Sequence, residues 1–177
     1  MDNNENKPNP FLREMLVTVV KTAVLTLLFI YFIAQTSIVY GKSMEPVLHT
    51  DQRLIIEKVS YHFEQPQRGD IVVVDVPDSD IPLIKRIIGL SGETLEIKQN
   101  QVYIDGAALT EPYLESSHQH KFGPITIPDN HLFVMGDNRL VSRDSRAFGA
   151  VSLDQIRGRA WVSYWPVQDI GVFDQGE

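Results

Sequence analysis

Cysteine is absent from the 177 residues. That excludes a disulfide scaffold, a thiol nucleophile and thiolate metal sites, though it does not mark either side of a membrane. An excess of positive charge is missing as well. The net charge is −7, and the ends do not share it equally. In residues 1–40, Lys7, Arg13 and Lys21 balance Asp2, Glu5 and Glu14, whereas residues 41–177 hold 13 basic and 20 acidic side chains. Such a surface repels phosphate backbones, which argues against nucleic acid as a partner. Internal repeats and long helical periodicity are also lacking beyond the first forty residues, so that part reads as mainly β.

One long apolar run is present. Residues 1–14 form a polar tail, and Met15–Ala34 (MLVTVVKTAVLTLLFIYFIA) carries a single charge in twenty residues. About 20 apolar residues are what an α-helix needs to cross a hydrocarbon core. Lys21 sits where its stem can snorkel, and Tyr31 and Phe32 sit where rings favour the headgroup zone. Residues 15–36 are therefore expected to form a transmembrane anchor in a lipid bilayer. The run exceeds the 7–15 residues usual for a cleaved signal peptide, which makes a retained anchor the better reading. Lys7 and Arg13 before it and Lys42 and Arg53 after it leave the charge bias even, so charge counting assigns no orientation.

Residues 37–177 read as one β-rich domain. Arg53–Val59, Ile71–Val76, Leu83–Ile88, Thr94–Lys98, Val102–Ile104, His131–Met135 and Ala160–Trp165 are short runs, mostly β-branched or aromatic, near Pro, Gly or Asp. Gln99-Asn100-Gln101 reads as a hairpin turn. Ser152 and Gln155 have the spacing of a capping box, which predicts a short helix over Ser152–Ile156.

Three clusters carry possible chemistry. If Ile81–Gly89 is a strand, Leu83, Lys85 and Ile87 share one face and Arg86 points the other way, free to stay solvated. A lysine between apolar neighbours loses basicity through desolvation, as a general base near neutral pH must. Taken alone, a lysine snorkelling from a sheet edge is the commoner case. Ser43 lies in Gly41-Lys42-Ser43-Met44-Glu45-Pro46, a sequence suited to a bend, and a serine needs a base to become a nucleophile. The third cluster, Gly136–Gly149, gathers Asp137, Arg139, Ser142, Arg143, Asp144 and Arg146. It reads either as a solvated loop or as a buried Asp144–Arg146 pair fixing Ser142.

Gly41–Leu48, Arg68–Val74, Ile84–Gly92 and Gly136–Gly149, in this order after an apolar segment, resemble bacterial-type signal peptidase I of the peptidase S26 family. The resemblance implies a signal-peptidase/SOS-repressor-like β-sheet catalytic domain behind one N-terminal transmembrane helix. It implies Ser43 as nucleophile, Lys85 as base, Ser142 as the hydroxyl orienting that lysine, and Asp144 with Arg146 as the supporting pair. Substrates would be secretory preproteins cut after small residues at −1 and −3, on the extracytoplasmic side of the cytoplasmic membrane or in an equivalent lumen. Val39, Gly41, Met44, Leu48, Leu83 and Ile84 would shape the substrate pockets, and no metal or organic cofactor is required. Two positions depart from the family pattern. Gly41 replaces a serine that some members use in the oxyanion hole, and Val141 replaces a common asparagine.

Other chemistry is less well served. His49 could in principle assist a serine, but no Ser/His/Asp spacing is recognisable. His118-x-His120 lacks the nearby carboxylates or cysteines of a metal site. Arg68-Gly69-Asp70 matches an adhesion tripeptide but reads as a turn opening a strand. A self-cleaving SOS-type repressor would need a DNA-binding helix-turn-helix, for which the apolar segment leaves no room. A β binding module that merely retains the motifs would not need Ser43, Lys85 and Ser142 together.

Overall fold

The computed structural model describes residues 9–77, 79–114 and 121–173, and it divides after Ala34 into two compact units. The first unit contains helix α1 (Pro10–Ile33). Asn9 caps it: its side chain accepts from Phe11 N at 3.1 Å and its carbonyl from Arg13 N at 3.1 Å. Pro10 follows at the first helical position, where a missing N–H costs nothing. Apolar side chains stand exposed all round the described part of the helix, Leu25 at 66% and Leu27 at 67% among them. Among the described residues, no helix is long and apolar enough to cross a membrane. Arg13, Glu14 and Lys21 fall in that described part, and the side chains of 29–34, the apolar end of the expected span, lie outside it.

The second unit is built of strands: β1 (Ala34–Ile38), β2 (Arg53–Glu57), β3 (Ile71–Val74), β4 (Leu83–Gly89), β5 (Thr94–Lys98), β6 (Gln101–Ile104), β7 (Ala107–Ala108), β8 (Phe122–Thr126), β9 (His131–Met135), β10 (Val151–Ser152), β11 (Ile156–Trp165) and β12 (Gly171–Val172). The larger sheet runs β1-β2-β11-β3-β4-β9-β10, with β12 added on β11, and the smaller runs β7-β6-β5-β8. Helix α2 (Ser145–Phe148) is a single turn. The β5–β6 hairpin turns through Gln99 and Asn100, both at positive φ, and Gln101 already belongs to β6. The expected helix near Ser152 is one 3₁₀ turn, Leu153–Gln155, where Gln155 accepts from Ser152 N at 2.8 Å.

The central strands are buried on both faces, which explains their unbroken apolar runs. Ile71 and Val73 of β3 join Val39, Met44, Leu48, Leu54 and Ile84 in one core cluster. Val72 and Val74 join Ile87, Leu132 and Val134 in a second. Ile88, Phe133 and Met135 pack against Leu95, Ile97 and Val102 of the small sheet in a third. β3 and β4 pair antiparallel with Val72 opposite Lys85 and Ile71 opposite Arg86. Burial on both faces also corrects the expectation that Arg86 stays solvated: it is 4% exposed.

Candidate active site

Ser43 sits on a loop that closes at its own neck. Val39 N donates to Gln52 O at 2.9 Å and Asp51 N to Val39 O at 3.0 Å, holding the two ends side by side. Met44 and Leu48, buried in the core cluster behind Ser43, anchor the loop from below. A turn from Met44 O to Leu48 N at 2.8 Å follows the serine directly. Gly41 has φ +80° with no atom within 4 Å of a Cβ placed there, so backbone conformation rather than crowding favours glycine.

Lys85 reaches this loop from β4. Its Nζ lies 2.8 Å from Ser43 Oγ and 2.9 Å from Ile84 O. It is 2% exposed and forms no ion pair among the described residues. Burial pulls its pKa from 10.5 down to about 8, against the opposing pull of the Asp144 and Asp137 charges.

The Gly136–Gly149 segment brackets the same corner. Asn138 N donates to Ser43 O at 3.0 Å. A Cβ at Gly136 would stand 2.3 Å from both Ser43 O and Ser142 Oγ, so only glycine allows this approach. Ser142 is thus beside the Ser43 backbone, yet its buried Oγ makes no hydrogen bond among the described residues. The expected lysine-orienting contact is therefore not formed in this arrangement. Asp144 and Arg146 do pair, Nε to Oδ1 at 2.8 Å, with Asp144 0% exposed. Asp144 also accepts from Gly136 N at 3.1 Å, and Arg146 donates to Arg139 O at 2.8 Å. The pair ties down the loop from beneath. Val141, the other departure, is exposed.

The remaining candidates fall in different places. Val39, Met44 and Leu48 are core residues, Ile84 reaches the core's edge at 9% exposure, and Leu83 packs against the second cluster. His49 is exposed and makes no ring hydrogen bond among the described residues. Asp70 is buried and accepts from Tyr61 Oη at 2.7 Å, and Arg68 pairs with Glu93, consistent with a structural turn at Arg68-Gly69-Asp70. His118 and His120 lie outside the described residues.

An ionic patch beside Lys85 carries no mark in the sequence reading. Arg86 donates to Asp137 through Nε at 2.9 Å and Nη2 at 2.8 Å, and lies 3.9 Å from the Tyr113 ring centre. Arg139 pairs with Glu111 and donates to Gly136 O at 3.0 Å. Burial lifts the Asp137 carboxyl above its ordinary value, and Arg86 opposes this. The signal for it was the number of charges in Gly136–Gly149, more than an Asp144–Arg146 pair could use. A cleft of about 340 Å³ opens beside the patch, lined by Val47, Asp70, Arg86, Tyr113, Arg159 and Phe173. Neither Ser43 nor Lys85 is among its lining residues.

A buried lysine held on a serine hydroxyl is an arrangement a hydrolase can use, and comparison with known proteins gives the family. Residues 12–165 match the family model for signal peptidase, peptidase S26. A probable signal peptidase I-2 of Synechocystis is 37% identical over 174 residues, covering 95% of this chain and 80% of the relative. The signal peptidase I of Bacillus licheniformis is 33% identical over 180 residues, covering 96% of each. A crystal structure of a signal peptidase I from Enterococcus faecalis aligns with TM-score 0.50 and 34% identity, over 54% of this chain and 97% of that one. The chain belongs to the signal peptidase family, peptidase S26. It is a peptidase, a hydrolase of peptide bonds involved in signal-peptide processing.

Proposed function

We propose that this chain removes N-terminal signal peptides from secretory preproteins with a Ser43–Lys85 dyad. The observation that carries the reading is the 2.8 Å contact between Lys85 Nζ and Ser43 Oγ, on a lysine whose pKa burial has brought to about 8. A neutral amine has a lone pair for the hydroxyl proton as Oγ attacks the scissile carbonyl. The resulting ammonium then protonates the leaving amine, and a water repeats the sequence on the ester. With glycine at 41, the developing oxyanion would rest on backbone N–H groups, including that of Ser43. Ser142, buried beside Ser43 with an unused hydroxyl, is available to Lys85 once the lysine turns from Ile84 O. Small residues at −1 and −3 of the substrate would suit a corner whose wall is a closed apolar core. Ile84 and Leu83 flank that corner, Gly41 keeps its rim low, and Val39, Met44 and Leu48 stand behind.

The apolar surface exposed on α1 supports a single-pass membrane anchor in the reading that places the catalytic unit extracytoplasmically. The net charge of −7 offers nucleic acid no footing. Incubating a secretory precursor with the full-length protein in detergent tests the activity. Wild type should release the signal peptide and form an acyl-enzyme on Ser43, and Ser43→Ala should do neither. Cleavage that survives in Ser43→Ala would overturn the dyad. Recovery of the full-length chain in the soluble fraction of its own cells would overturn the anchor.

A further inference from the structure

The loop that carries Ser43 is held at its neck by a side chain from its last residue. Gln52 is 4% exposed, and both ends of its amide are used. Oε1 accepts from His49 N at 2.8 Å, at the far end of the Ser43 turn. Nε2 donates to Asp169 Oδ2 at 3.1 Å, across 117 residues of sequence. Its backbone carbonyl takes Val39 N at 2.9 Å on the near side of the loop. Asp169 itself lies in the 3₁₀ turn Val167–Asp169 between β11 and β12, with its N–H on Pro166 O at 2.9 Å. Gln52 therefore joins three things: the start of the Ser43 loop through its backbone carbonyl, and the loop's end and a turn after the last long strand through its side-chain amide.

We infer that Gln52 and Asp169 form a latch that positions the nucleophile, making the Val167–Asp169 turn a working part of the active site. Without the Asp169 acceptor, the Gln52 amide has no fixed orientation, and the His49 N–H loses its partner in turn. A buried amide needs both partners to stay ordered. The loop would then rely on its neck backbone bonds, the Thr50 Oγ1 bond to Gly41 O at 3.0 Å, its core anchors and Asn138. Ser43 Oγ must meet Lys85 Nζ within a few tenths of an ångström, and loss of near-attack geometry lowers turnover more than affinity. Both residues are positioning residues; neither touches the reacting atoms.

This inference rests on the proposed Ser43–Lys85 chemistry, so its test carries one activity readout and one independent of activity. The full-length protein and its Gln52→Ala, Asp169→Ala, Asp169→Asn and double-alanine variants are compared on a precursor peptide with alanine at −1 and −3. Each alanine variant should lower kcat roughly 10-fold with KM nearly unchanged. The double variant should be no worse than the poorer single one, because a broken latch cannot break twice. Asp169→Asn, which keeps an acceptor oxygen, should recover most of the loss. Hydrogen exchange of the His49 amide should quicken in both alanine variants and stay slow in Asp169→Asn. Additive losses, or a loss confined to KM, would overturn the latch. So would unchanged His49 exchange, whatever the activity does. If wild type itself gave no Ser43-dependent turnover, the proposed function would fail while the exchange data still decided the latch.

Discussion

Lys85 and Arg86 are consecutive residues of β4, both nearly fully buried, and they are treated in opposite ways. Arg86 has a two-pronged carboxylate, a backbone carbonyl at 2.9 Å and an aromatic face. Its charge is kept and compensated. Lys85 faces Val72 across the strand pair and has a serine hydroxyl and a carbonyl for company, with no carboxylate in contact among the described residues. Its charge is made costly. Guanidinium cannot lose its proton in a protein, so it must be paired when buried; an ammonium can, and burial without a partner makes it do so. The same degree of burial thus leaves a compensated charge at one residue and, in the proposed function, a base at the next.

Exchanging the two treatments should have the largest effect. Lys85→Arg would put a permanent charge where a base is needed, and Lys85→Ala would remove the base. Each should lower kcat/KM on a precursor peptide by about 10³-fold or more. Circular dichroism should show Lys85→Ala still folded, since it discards only an uncompensated charge. Substantial turnover by Lys85→Arg would break the comparison and turn attention to His49.

Asp137→Ala tests the other side. It leaves the Arg86 charge buried without its carboxylate, and removing one partner of such a pair costs about 3–5 kcal/mol. Denaturant unfolding should report a loss in that range for Asp137→Ala and a far smaller one for Lys85→Ala. Equal losses would show that Lys85 is as much a structural residue as Arg86.

Stability against pH sharpens the contrast further. Below about 8, Lys85 is charged in both folded and unfolded chains, and the fold carries the cost of a buried ammonium. From there to 10.5 the unfolded chain holds a proton that the folded one has released, so stability rises with pH by on the order of 3 kcal/mol. Lys85→Met should lack that rise, and the difference between the two unfolding curves isolates it. The acidic limb of kcat/KM should lie near 8 and move lower in Asp144→Asn, because that carboxylate's charge raises the lysine. An acidic limb near 10.5 would mean an ordinary solvated amine.

Ser142 gives the smallest of these effects that is still decisive. Ser142→Ala should reduce kcat by roughly 10²-fold through misorientation of Lys85, while Ser142→Thr keeps the hydroxyl and should be milder. Full activity in Ser142→Ala would leave that orphaned hydroxyl with a packing role alone.

The approach of Lys85 to Ser43, 2.8 Å in the structure, was legible only from four motifs standing in family order; taken alone, neither the bend at Ser43 nor the apolar strand at Lys85 called for it. The fate of Arg86 was not legible. Alternation along a strand separates inside from outside only when one face is wet, and β4 lies between β3 and β9 with core clusters on both faces. Strand β8 was missed because Gly123 and Pro124, ordinarily strand breakers, stand inside it on an edge of the small sheet. Gln52 and Asp169 carry no sequence signal at all. Their significance comes from proximity across 117 residues, which no local pattern encodes.

The small sheet has a consequence of another kind. β4 and β9 are neighbours in the large sheet, yet the chain leaves β4 after Gly89, builds β5 to β8, and returns at His131. The excursion is therefore a cassette spliced between two adjoining strands, and the order of the main sheet would survive its exchange for a different module. Its replacement would have to satisfy two demands at the splice. It must bring an apolar lid for Ile88, Phe133 and Met135, and a carboxylate where Glu111 meets Arg139. Within those terms, the size and surface of this module can change without touching the contacts that hold Ser43 and Lys85.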